Sequence, residues 1–526
     1  MKRTAGAAAL ALLAPLAASG CGAGTPEAAS TSTTDTSGTF TFAIPADPGA
    51  LDPAMGVLSI TNTVLSVAYD TLVRSGEDGG VVPGLAEKWD VKPDSVTFTL
   101  RKDATCSDGS PVTPENVAAT VNHITDPDTK SPVNGVLVPA GMKAEAGQDT
   151  VTLSTPEPFG FILESARDIF IVCGKGLEDR SLLTRGTSGS GPYVLSEAVP
   201  GDHYTFKVRR DYAWGSSGTG ADLPEQVVLK VVPNEQTAAN LLVAGTVNGA
   251  QFLGPDRARM ESTPGVGQIV HSVGNGQFFY HQGEGRPGAD PAVRKALTQA
   301  LNLTELGGIA SGGTGRPATG LVAEPRPCPG DTVAGHVPAF DEAAAAAALD
   351  AAGWKPGPDG IRVKDGEKLT LSLLYPTTRG PGVQAAAEYM AAAWQKAGAD
   401  VKLNGALDTK LSESLNVTQD WDVVWLPITV TLPSQLVGFL SGPAAPEGAN
   451  FAHLDNKRYA ELVTEANGIP GEKGCELWLQ AESALFENAD LVPVVANTVL
   501  TATRNATFGF SGGLFDPSSF RLTQGG

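Results

Sequence analysis

One stretch in the second half of the chain alternates between strand-like and helix-like patterns, and this alternation constrains the fold most. The segments KLTLSLLYP (368–376), DVKLN (400–404) and WDVVWLPITV (421–430) have the composition and periodicity of β-strands. An alanine-rich segment between the first two, residues 381–399, has helical periodicity. A β-α-β order of this kind predicts a mostly parallel sheet covered by helices, and therefore the α/β class.

The length and charge of the chain restrict its organisation and its partners. With 526 residues it exceeds the roughly 250–300 residues at which single domains stop growing, so two or three lobes are expected. It contains 37 Lys and Arg against 57 Asp and Glu, which gives a net charge of −20. Because nucleic-acid binding needs clustered basic residues, and none cluster here, nucleic acid is not an expected partner.

The first residues have the pattern of a bacterial secretory signal. Lys2 and Arg3 precede an apolar stretch over residues 5–18, which is shorter than the about 20 residues that a membrane-spanning helix needs. The stretch ends in Ala-Ser-Gly-Cys, which resembles a lipobox and predicts a lipoprotein signal peptide over residues 1–20 with lipidation at Cys21. Alanine stands where leucine is most common in a lipobox, so ordinary secretion is the alternative.

The segment that follows the signal is expected to connect the lipid anchor to the folded part of the protein. Residues 21–38 are rich in Gly, Ser, Thr and Pro and poor in large apolar residues, which predicts a flexible tether. No later segment approaches 18 uninterrupted apolar residues, so we expect membrane contact through the lipid anchor only. These features predict an extracytoplasmic protein that is anchored to the outer face of the cell membrane.

Seven segments, spread from the first predicted strand to near the end of the chain, follow one another in a recognisable order. They are FAIPADPGALDPA (42–54), YDTLVRSGEDGGVVPGLAEKWDV (69–91), VTFTLRKDATCSDGSPVTPENV (96–117), SGPYVL (190–195), RRDYAWG (209–215), DPAVRKALTQALN (290–302) and ENADLVPVVA (487–496). Together they resemble the peptide/nickel-type (family 5) extracellular solute-binding proteins of ABC importers, which include the oligopeptide-binding-protein-like lipoproteins. Cys106 stands where this family usually has an aromatic residue, and Asn116 where it has aspartate.

The resemblance implies a two-lobed periplasmic-binding-protein-like fold of mixed sheets, with a hinge between the lobes and an extra inserted subdomain. Lobe I is then expected from residues 39–85, 187–272 and 492–526. The inserted subdomain is expected at 86–186, and lobe II at 273–491.

The same resemblance implies a binding protein and not an enzyme. A solute is expected to bind in the cleft between the lobes, which close over it. The closed form would deliver the solute to an ABC permease that is powered by a separate ATPase, in keeping with the absence of a GxxxxGK[ST] motif here. A monomer without a cofactor is expected, and the solute is expected to be a peptide or another small polar or amphipathic molecule.

Four cysteines remain after Cys21, and an even number in an oxidising compartment suggests two disulfides with three possible connectivities. The expected lobes favour Cys106–Cys173 and Cys328–Cys475, because each of these pairs then falls within one lobe. Four buried free thiols are the alternative.

A cleft that encloses its ligand needs aromatic walls and a few polar anchors. The resemblance and the strand pattern nominate six candidates for ligand binding: Phe278, Phe279, Tyr375, Trp421, Trp425 and Thr429. Trp425 is the first of these, because the segment after its strand lines the cleft in the family and because indole stacks well on apolar groups, sugars and cations. Each aromatic candidate has an alternative interpretation as a core residue.

One departure from the family bears on the ligand. Peptide-binding members commonly place an aspartate just beyond this strand, to pair with the free α-amino group of the ligand. Here residues 426–430 contain no carboxylate, and Asp47 or Glu284 could replace it only in principle. A glycan, a glycolipid or a modified peptide therefore competes with a conventional peptide. An envelope regulatory or glycolipid-binding protein that keeps the fold without a transport role is the alternative function.

Catalysis and metal binding are not expected from the sequence. It contains no G-x-S-x-G and no H-E-x-x-H motif, and the family turn explains SGSGPY (188–193). No two of its six histidines have the i,i+4 spacing of a helical metal site, so neither nickel nor a metal centre is expected. They are His123, His203, His271, His281, His336 and His453.

Overall fold

The computed structural model describes residues 34–56, 58–76 and 78–523. The predicted signal peptide, Cys21 and most of the predicted tether lie outside these residues. The last tether residues are paired in the structure, because Thr34 and Asp35 lie opposite Thr523 and Leu522 in a short antiparallel ladder. Within the described residues, no helix has both the length and the apolar character needed to cross a membrane.

The secondary structure of the described residues mixes short and long elements. The strands are β1 (Thr34–Asp35), β2 (Thr39–Ile44), β3 (Val73–Ser75), β4 (Val81–Pro83), β5 (Ala86–Lys92), β6 (Ser95–Leu100), β7 (Lys143–Ala146), β8 (Thr150–Ser154), β9 (Tyr193–Val199), β10 (His203–Val208), β11 (Gln226–Val231), β12 (Gly249–Phe252), β13 (Gly267–Tyr280), β14 (Arg316–Pro317), β15 (Lys355–Pro356), β16 (Arg362–Lys364), β17 (Glu367–Lys368), β18 (Thr370–Pro376), β19 (Asp400–Ala406), β20 (Val423–Trp425), β21 (Leu491–Thr503), β22 (Ala506–Ser511) and β23 (Leu514–Thr523). The helices are α1 (Ser59–Leu65), α2 (Pro114–Thr125), α3 (Ile162–Ser165), α4 (Lys175–Glu178), α5 (Glu235–Val243), α6 (Asp256–Glu261), α7 (Pro291–Gln299), α8 (Leu303–Ala310), α9 (Glu342–Ala351), α10 (Pro381–Lys396), α11 (Asp408–Glu413), α12 (Val437–Leu440), α13 (Lys457–Asn467) and α14 (Cys475–Glu487).

A single mixed sheet runs through the molecule in the order β19-β18-β20-β13-β21-β12-β2-β11-β10-β9. We call β12, β2, β11, β10 and β9 the first flank, β20, β18 and β19 the second flank, and β13 with β21 the central pair. In the second flank, β18 is parallel to both β19 and β20, and α10 connects β18 to β19. The parallel sheet predicted from the β-α-β pattern is therefore confirmed in that region.

The central pair is the connection between the flanks, and each flank joins it at a different end. β12 pairs with β21 at Leu500–Thr503, whereas β20 pairs with β13 at Phe278–Tyr280. Between these ends the antiparallel ladder of β13 and β21 is interrupted by irregularities at Ser272/Gly274 and at Gly276/Gln277. The predicted lobe boundaries at 272/273 and 491/492 fall within these two strands, and the exact division of the lobes stays a prediction.

A separate four-stranded sheet, in the order β5-β6-β8-β7, lies within the segment expected as an inserted subdomain. Helix α2 packs on β7 and β8, and buries Val117, Val121 and Ile124 in the same core as this sheet. The helix begins as its sequence predicts, with Thr113 as N-cap and Pro114 in the first turn.

The structure contains both predicted disulfides, Cys106–Cys173 with a Cα–Cα distance of 5.9 Å and Cys328–Cys475 with 5.1 Å. Arg294 forms a buried ion pair with Asp490. Its Nη2 donates to Asp490 Oδ1 at 2.9 Å, with both side chains at most 2% exposed. Arg294 thereby ties α7 to the start of β21, because its other nitrogens donate to carbonyl oxygens of residues 288–289 and 488–489.

Candidate ligand-binding cleft

A cleft of about 390 Å³ lies between the two flanks, next to the middle of the central pair. One wall is formed by α1 and the turn between β22 and β23, which pack on the first flank, and by residues 167–170, which lie in the segment expected as an inserted subdomain. The opposite wall is formed by residues 323–325 and 429–431, which lie on the side of the second flank, where Val430 shares a core with Val424 and Leu374. This volume is in the range of sites for small molecules.

Helix α1 presents a polar stripe to the cleft. Ser59, Asn62, Thr63 and Ser66 border the cleft, and their spacing of three and four residues puts them on one helical face. The opposite face carries Val64 and Leu65, which are fully buried in the first-flank core together with aromatic residues of β2 and β10. The wall therefore offers hydroxyl and amide groups to a ligand.

Asp70, just after this helix, is the centre of a buried hydrogen-bond cluster. Its Oδ1 accepts from Arg74 Nη2 at 2.7 Å and from the Tyr212 hydroxyl at 3.2 Å. Its Oδ2 accepts from Trp214 Nε1 at 2.8 Å and from the Ser190 hydroxyl at 3.1 Å. The carboxylate is 5% exposed, and its four donors satisfy it within the protein.

A second aspartate on the same wall has a different environment. Asp168 ends the single helical turn Ala166–Asp168, is partly buried, and borders the cleft. Burial raises the pKa of its carboxyl to about 6, and the neighbouring Arg167 guanidinium opposes this rise. Arg167 also borders the cleft, but its guanidinium is engaged, because its Nη1 donates to the Ser75 hydroxyl at 3.2 Å and to the Gly79 carbonyl at 3.1 Å.

The floor of the cleft is the irregular part of the central pair. His271, Ser272 and Val273 border the cleft there. From the opposite wall, the Thr429 hydroxyl donates a hydrogen bond of 3.3 Å to the Val273 carbonyl. Gly274 has a φ of +111°, and a Cβ at this position would lie 2.2 Å from Thr429 Oγ1. Burial lowers the pKa of His271 to about 4, so this side chain is neutral at pH 7.

Of the six residues nominated from the sequence, only Thr429 borders this cleft. The five aromatic side chains are at most 8% exposed and lie in the cores on the two faces of the sheet. Phe278, Tyr375 and Trp425 belong to one of these cores and Phe279 and Trp421 to the other. The structure therefore places these five side chains in the cores and not at the walls of this cleft.

The reason is that helices cover both faces of the second flank. On β20, Trp425 faces one core and Val424 the other, so neither face of the strand reaches the cleft. The indole of Trp425 lies opposite Phe278 on β13, and a Cβ on Gly276 would lie only 2.9 Å from its Cζ2. Its alternative interpretation, as a core residue, is the one that the structure supports.

The two acids considered as substitutes for the missing family aspartate do not border this cleft either. Asp47 accepts hydrogen bonds from the Gly49 and Gly201 amides and from the Tyr204 hydroxyl. Glu284 is exposed on the loop after β13. Sequence reasoning missed Asp168, for which no local pattern distinguishes a cleft residue from a surface residue. It also missed the α1 stripe, which its polar i,i+3,i+4 spacing could have indicated.

Within the described ranges, no group of three or more His, Cys, Asp or Glu side chains is arranged to hold a metal ion. Hydroxyl, amide and carboxylate side chains line the cleft instead. A two-lobed α/β fold with such a cleft beside its connecting strands defines the periplasmic-binding-protein class of fold.

Comparison of the sequence with known proteins supports this class of fold. Residues 80–443 match the family described as "Bacterial extracellular solute-binding proteins, family 5 Middle". The chain is 28% identical to Protein XP55 of Streptomyces lividans over 71% of this chain and 68% of that protein. It is 26% identical to the periplasmic murein peptide-binding protein MppA of Escherichia coli over 86% of each chain.

A solved structure has the same fold over nearly the whole length. It is a substrate-binding protein from Microbacterium hydrocarbonoxydans, in complex with 4-hydroxybenzoate hydrazide, with 26% identity and a TM-score of 0.70. The match covers 93% of this chain and 100% of that one. The chain belongs to the bacterial extracellular solute-binding proteins of family 5, as its motifs indicated.

Proposed function

We propose that this protein is the solute-binding component of an ABC importer, which captures a peptide or another small polar solute in the cleft. The observation that carries the proposal is the position of the cleft, which is bordered by segments on the sides of both flanks and lies against the two strands that join the flanks. A solute in this position would contact both halves of the protein at once. Binding would then stabilise a form in which the halves are closed on it.

The lining supports a solute with several hydrogen-bonding groups. Hydroxyl and amide side chains come from α1, from the central pair and from residues 429–435, and they reach the cleft from both sides. Peptides and glycans both have many such groups. Relatives named for binding murein peptides and dipeptides support a peptide, and the missing carboxylate after β20 supports a different mode of capture from that of conventional peptide binders.

Delivery to a membrane permease is part of the proposal. The signal-like residues 1–20, the lipobox cysteine Cys21 and the acidic, soluble composition of the remainder support a lipoprotein held at the outer face of the membrane. A permease and an ATPase would supply transport and energy. Replacement of Cys21 by Ala is expected to move the protein from the membrane fraction to the medium, as measured by immunoblotting.

The test of the proposal uses a matched pair of helical threonines. The hydroxyls of Thr63 on α1 and Thr464 on α13 both donate to the carbonyl four residues earlier, but only Thr63 borders the cleft. Solutes that co-purify with the wild type would be released by denaturation and identified by mass spectrometry. Short peptides and short oligosaccharides would be screened by thermal shift and by small-angle scattering.

We expect at least one of these solutes to raise the melting temperature and reduce the radius of gyration of the wild type. Thr63→Trp, which fills the cleft, should lose both responses while retaining the melting temperature of the solute-free protein. Thr464→Trp should respond as the wild type does. A solute response that survives Thr63→Trp would place binding elsewhere, and the absence of any response from the wild type would contradict the proposed function.

A further inference from the structure

Four carboxylates border the cleft, and three of them are engaged within the protein. Asp70 has four donors, as described above. Asp516 accepts from the hydroxyls of Ser216, Ser217 and Ser518, at 3.0, 2.6 and 2.6 Å respectively. Glu324 is exposed to solvent and accepts from the Thr319 hydroxyl at 3.5 Å.

Asp168 is the exception. Among the described residues, nothing donates a hydrogen bond to its carboxylate and no basic side chain forms an ion pair with it. Two apolar residues close to it in sequence are buried, since Ala166 is 0% exposed and Ile169 is 1% exposed. A partly buried carboxylate without a protein partner is less favourable than one whose charge the protein satisfies.

The arginines nearby are unavailable to compensate it. Arg74 is held by Asp70 and the Tyr212 hydroxyl through the same Nη2 nitrogen. The Arg167 Nε donates to the Glu164 carbonyl at 3.0 Å, and its Nη1 donates to the hairpin formed by β3 and β4. Both guanidinium groups are thus fixed by contacts that do not involve Asp168.

We propose that Asp168 is the counter-ion for a cationic group of the solute, so that the cleft selects molecules that carry an ammonium or a guanidinium group. This inference rests on the proposed function and names the chemistry of the solute. The partner missing from the Asp168 carboxylate would be supplied by the ligand, and a charge-assisted hydrogen bond would form only in the complex. The position of Asp168 on the inserted subdomain would make this subdomain part of the selective wall.

The charge of the cleft supports a cation. The charged residues at its border, among those that the structure describes, are the four acids Asp70, Asp168, Glu324 and Asp516 and the two arginines Arg74 and Arg167. His271 adds no positive charge, because burial lowers its pKa to about 4. The chain as a whole has a net charge of −20, and an acidic cleft in an acidic protein attracts cations and repels anions.

The experiment compares Asp168→Asn with Asp128→Asn. Asp128 is an exposed acid on the same subdomain and does not border the cleft, so its replacement controls for the loss of one negative charge. The probes are pairs of similar size in which only the cationic member has an ammonium group: acetyl-alanyl-lysyl-alanine beside acetyl-alanyl-glutaminyl-alanine, alanyl-glutaminyl-alanine with a free beside an acetylated amino terminus, and glucosamine beside glucose. Calorimetry measures each dissociation constant at about pH 7.5 and at about pH 5.

We expect the wild type to prefer the cationic member of a pair by at least about tenfold. Asp168→Asn should lose this preference, and Asp128→Asn should keep it. Affinity of the wild type for the cation should fall between about pH 7.5 and about pH 5, because the carboxyl takes up a proton in this interval, and Asp168→Asn should show no such fall. The acetylated peptides show whether the preferred cation is the terminal amine or the lysine side chain.

Two results would overturn the inference. If neutral probes bind the wild type as tightly as cationic ones, the proposed function stands and the counter-ion role fails. If Asp168→Asn binds the cationic probe as the wild type does, another group is the counter-ion. Absence of binding by every probe, cationic and neutral, would contradict both the inference and the proposed function for these classes of solute.

Discussion

Asp70 and Asp168 border the same cleft from the same side, yet their surroundings are opposite. Asp70 receives hydrogen bonds from Arg74, Tyr212, Trp214 and Ser190. Asp168 receives none from the described residues, and burial raises its pKa to about 6. The carboxylate of Asp70 is satisfied by donors within the protein, whereas that of Asp168 has no donor among the described residues.

The number of hydrogen-bond donors therefore distinguishes Asp70, which has a structural role, from Asp168, for which we propose a role in ligand binding. The partners of Asp70 come from three of the segments that identify the family: residues 69–91, 190–195 and 209–215. These motifs therefore mark a junction of the fold and say nothing of the solute. Specificity is expected instead at Asp168, which lies outside every one of the family motifs.

The largest effect is expected from breaking the Asp70 cluster. Asp70→Ala removes the acceptor of four donors and leaves the Arg74 side chain, which is 13% exposed, without its ion-pair partner. We expect the free energy of unfolding in urea to fall by about 3–5 kcal/mol. The double variant Asp70→Asn with Arg74→Met should recover part of this loss, because it removes both charges. A loss below about 1 kcal/mol would show that the cluster is not structural.

Trp425→Ala provides a reference for a purely structural loss. The side chain is 1% exposed and lies in the core with Phe278, so its removal leaves a cavity. We expect a loss of about 3–4 kcal/mol in the free energy of unfolding, measured in urea. Affinity for any solute should change little at temperatures where the variant is folded. If Trp425→Ala instead lost much of its affinity for solute and kept its stability, Trp425 would be a residue of the cleft wall.

Acid pH should destabilise the protein through a buried histidine, and this effect must be separated from that of Asp168. Burial lowers the pKa of His281 to about 4, although its hydrogen bond to Gln419 opposes the change. The unfolded state takes up the proton near pH 6.5, so stability is fully present above about pH 6.5 and falls towards about pH 4. The expected loss is about 2–3 kcal/mol. His281→Gln should flatten this part of the pH profile, and an unchanged slope would contradict the assignment.

The smallest effect on stability is expected from Asp168→Asn, in contrast to Asp70→Ala. The pKa of the Asp168 carboxyl is raised from 3.8 to about 6, so the folded state holds a proton that the unfolded state has lost. Stability due to this group therefore falls as the pH rises from about 4 to about 6. At pH 7 the variant should be as stable as the wild type or more stable by about 1–2 kcal/mol, since partial exposure screens the charge. Because burial also lowers the pKa of His271 to about 4, urea unfolding of Asp168→Asn should be compared with that of the wild type at each pH, and a clear loss of stability in the variant would contradict the expectation.

Much of the fold could be predicted from local patterns. Strands β2 and β6 and the capped start of α2 lie where residue periodicity and capping place them, and the parallel arrangement around β18 follows from the β-α-β pattern. These features depend on periodicity, capping and composition within short windows. Local pattern misleads elsewhere: the apolar segment 169–173 has no strand assignment, and α1 ends at Leu65 although apolar residues continue at helical spacing to residue 73.

The element that matters most for the site was not predicted. Strand β13 is 14 residues long, but Gly274, Gly276 and several polar residues interrupt its alternation, so no local pattern indicates it. Its stability comes from β21, which lies more than two hundred residues later in the sequence. Long-range pairing of this kind is decided by the packing of the whole sheet and is invisible in a short window.

The sequence by itself determined the class of fold, the family and the acidic character of the chain, because these follow from local periodicity, residue order and composition. It favoured the two disulfide pairs only through the expected lobes, and the structure decided the connectivity. Only the tertiary structure decided which aromatic side chains are core and which polar ones face the cleft. A strand pattern reports that a residue alternates between two faces, but whether a face meets helices or solvent depends on elements distant in sequence. For the same reason, only the folded chain distinguishes an aspartate with four donors from one with none.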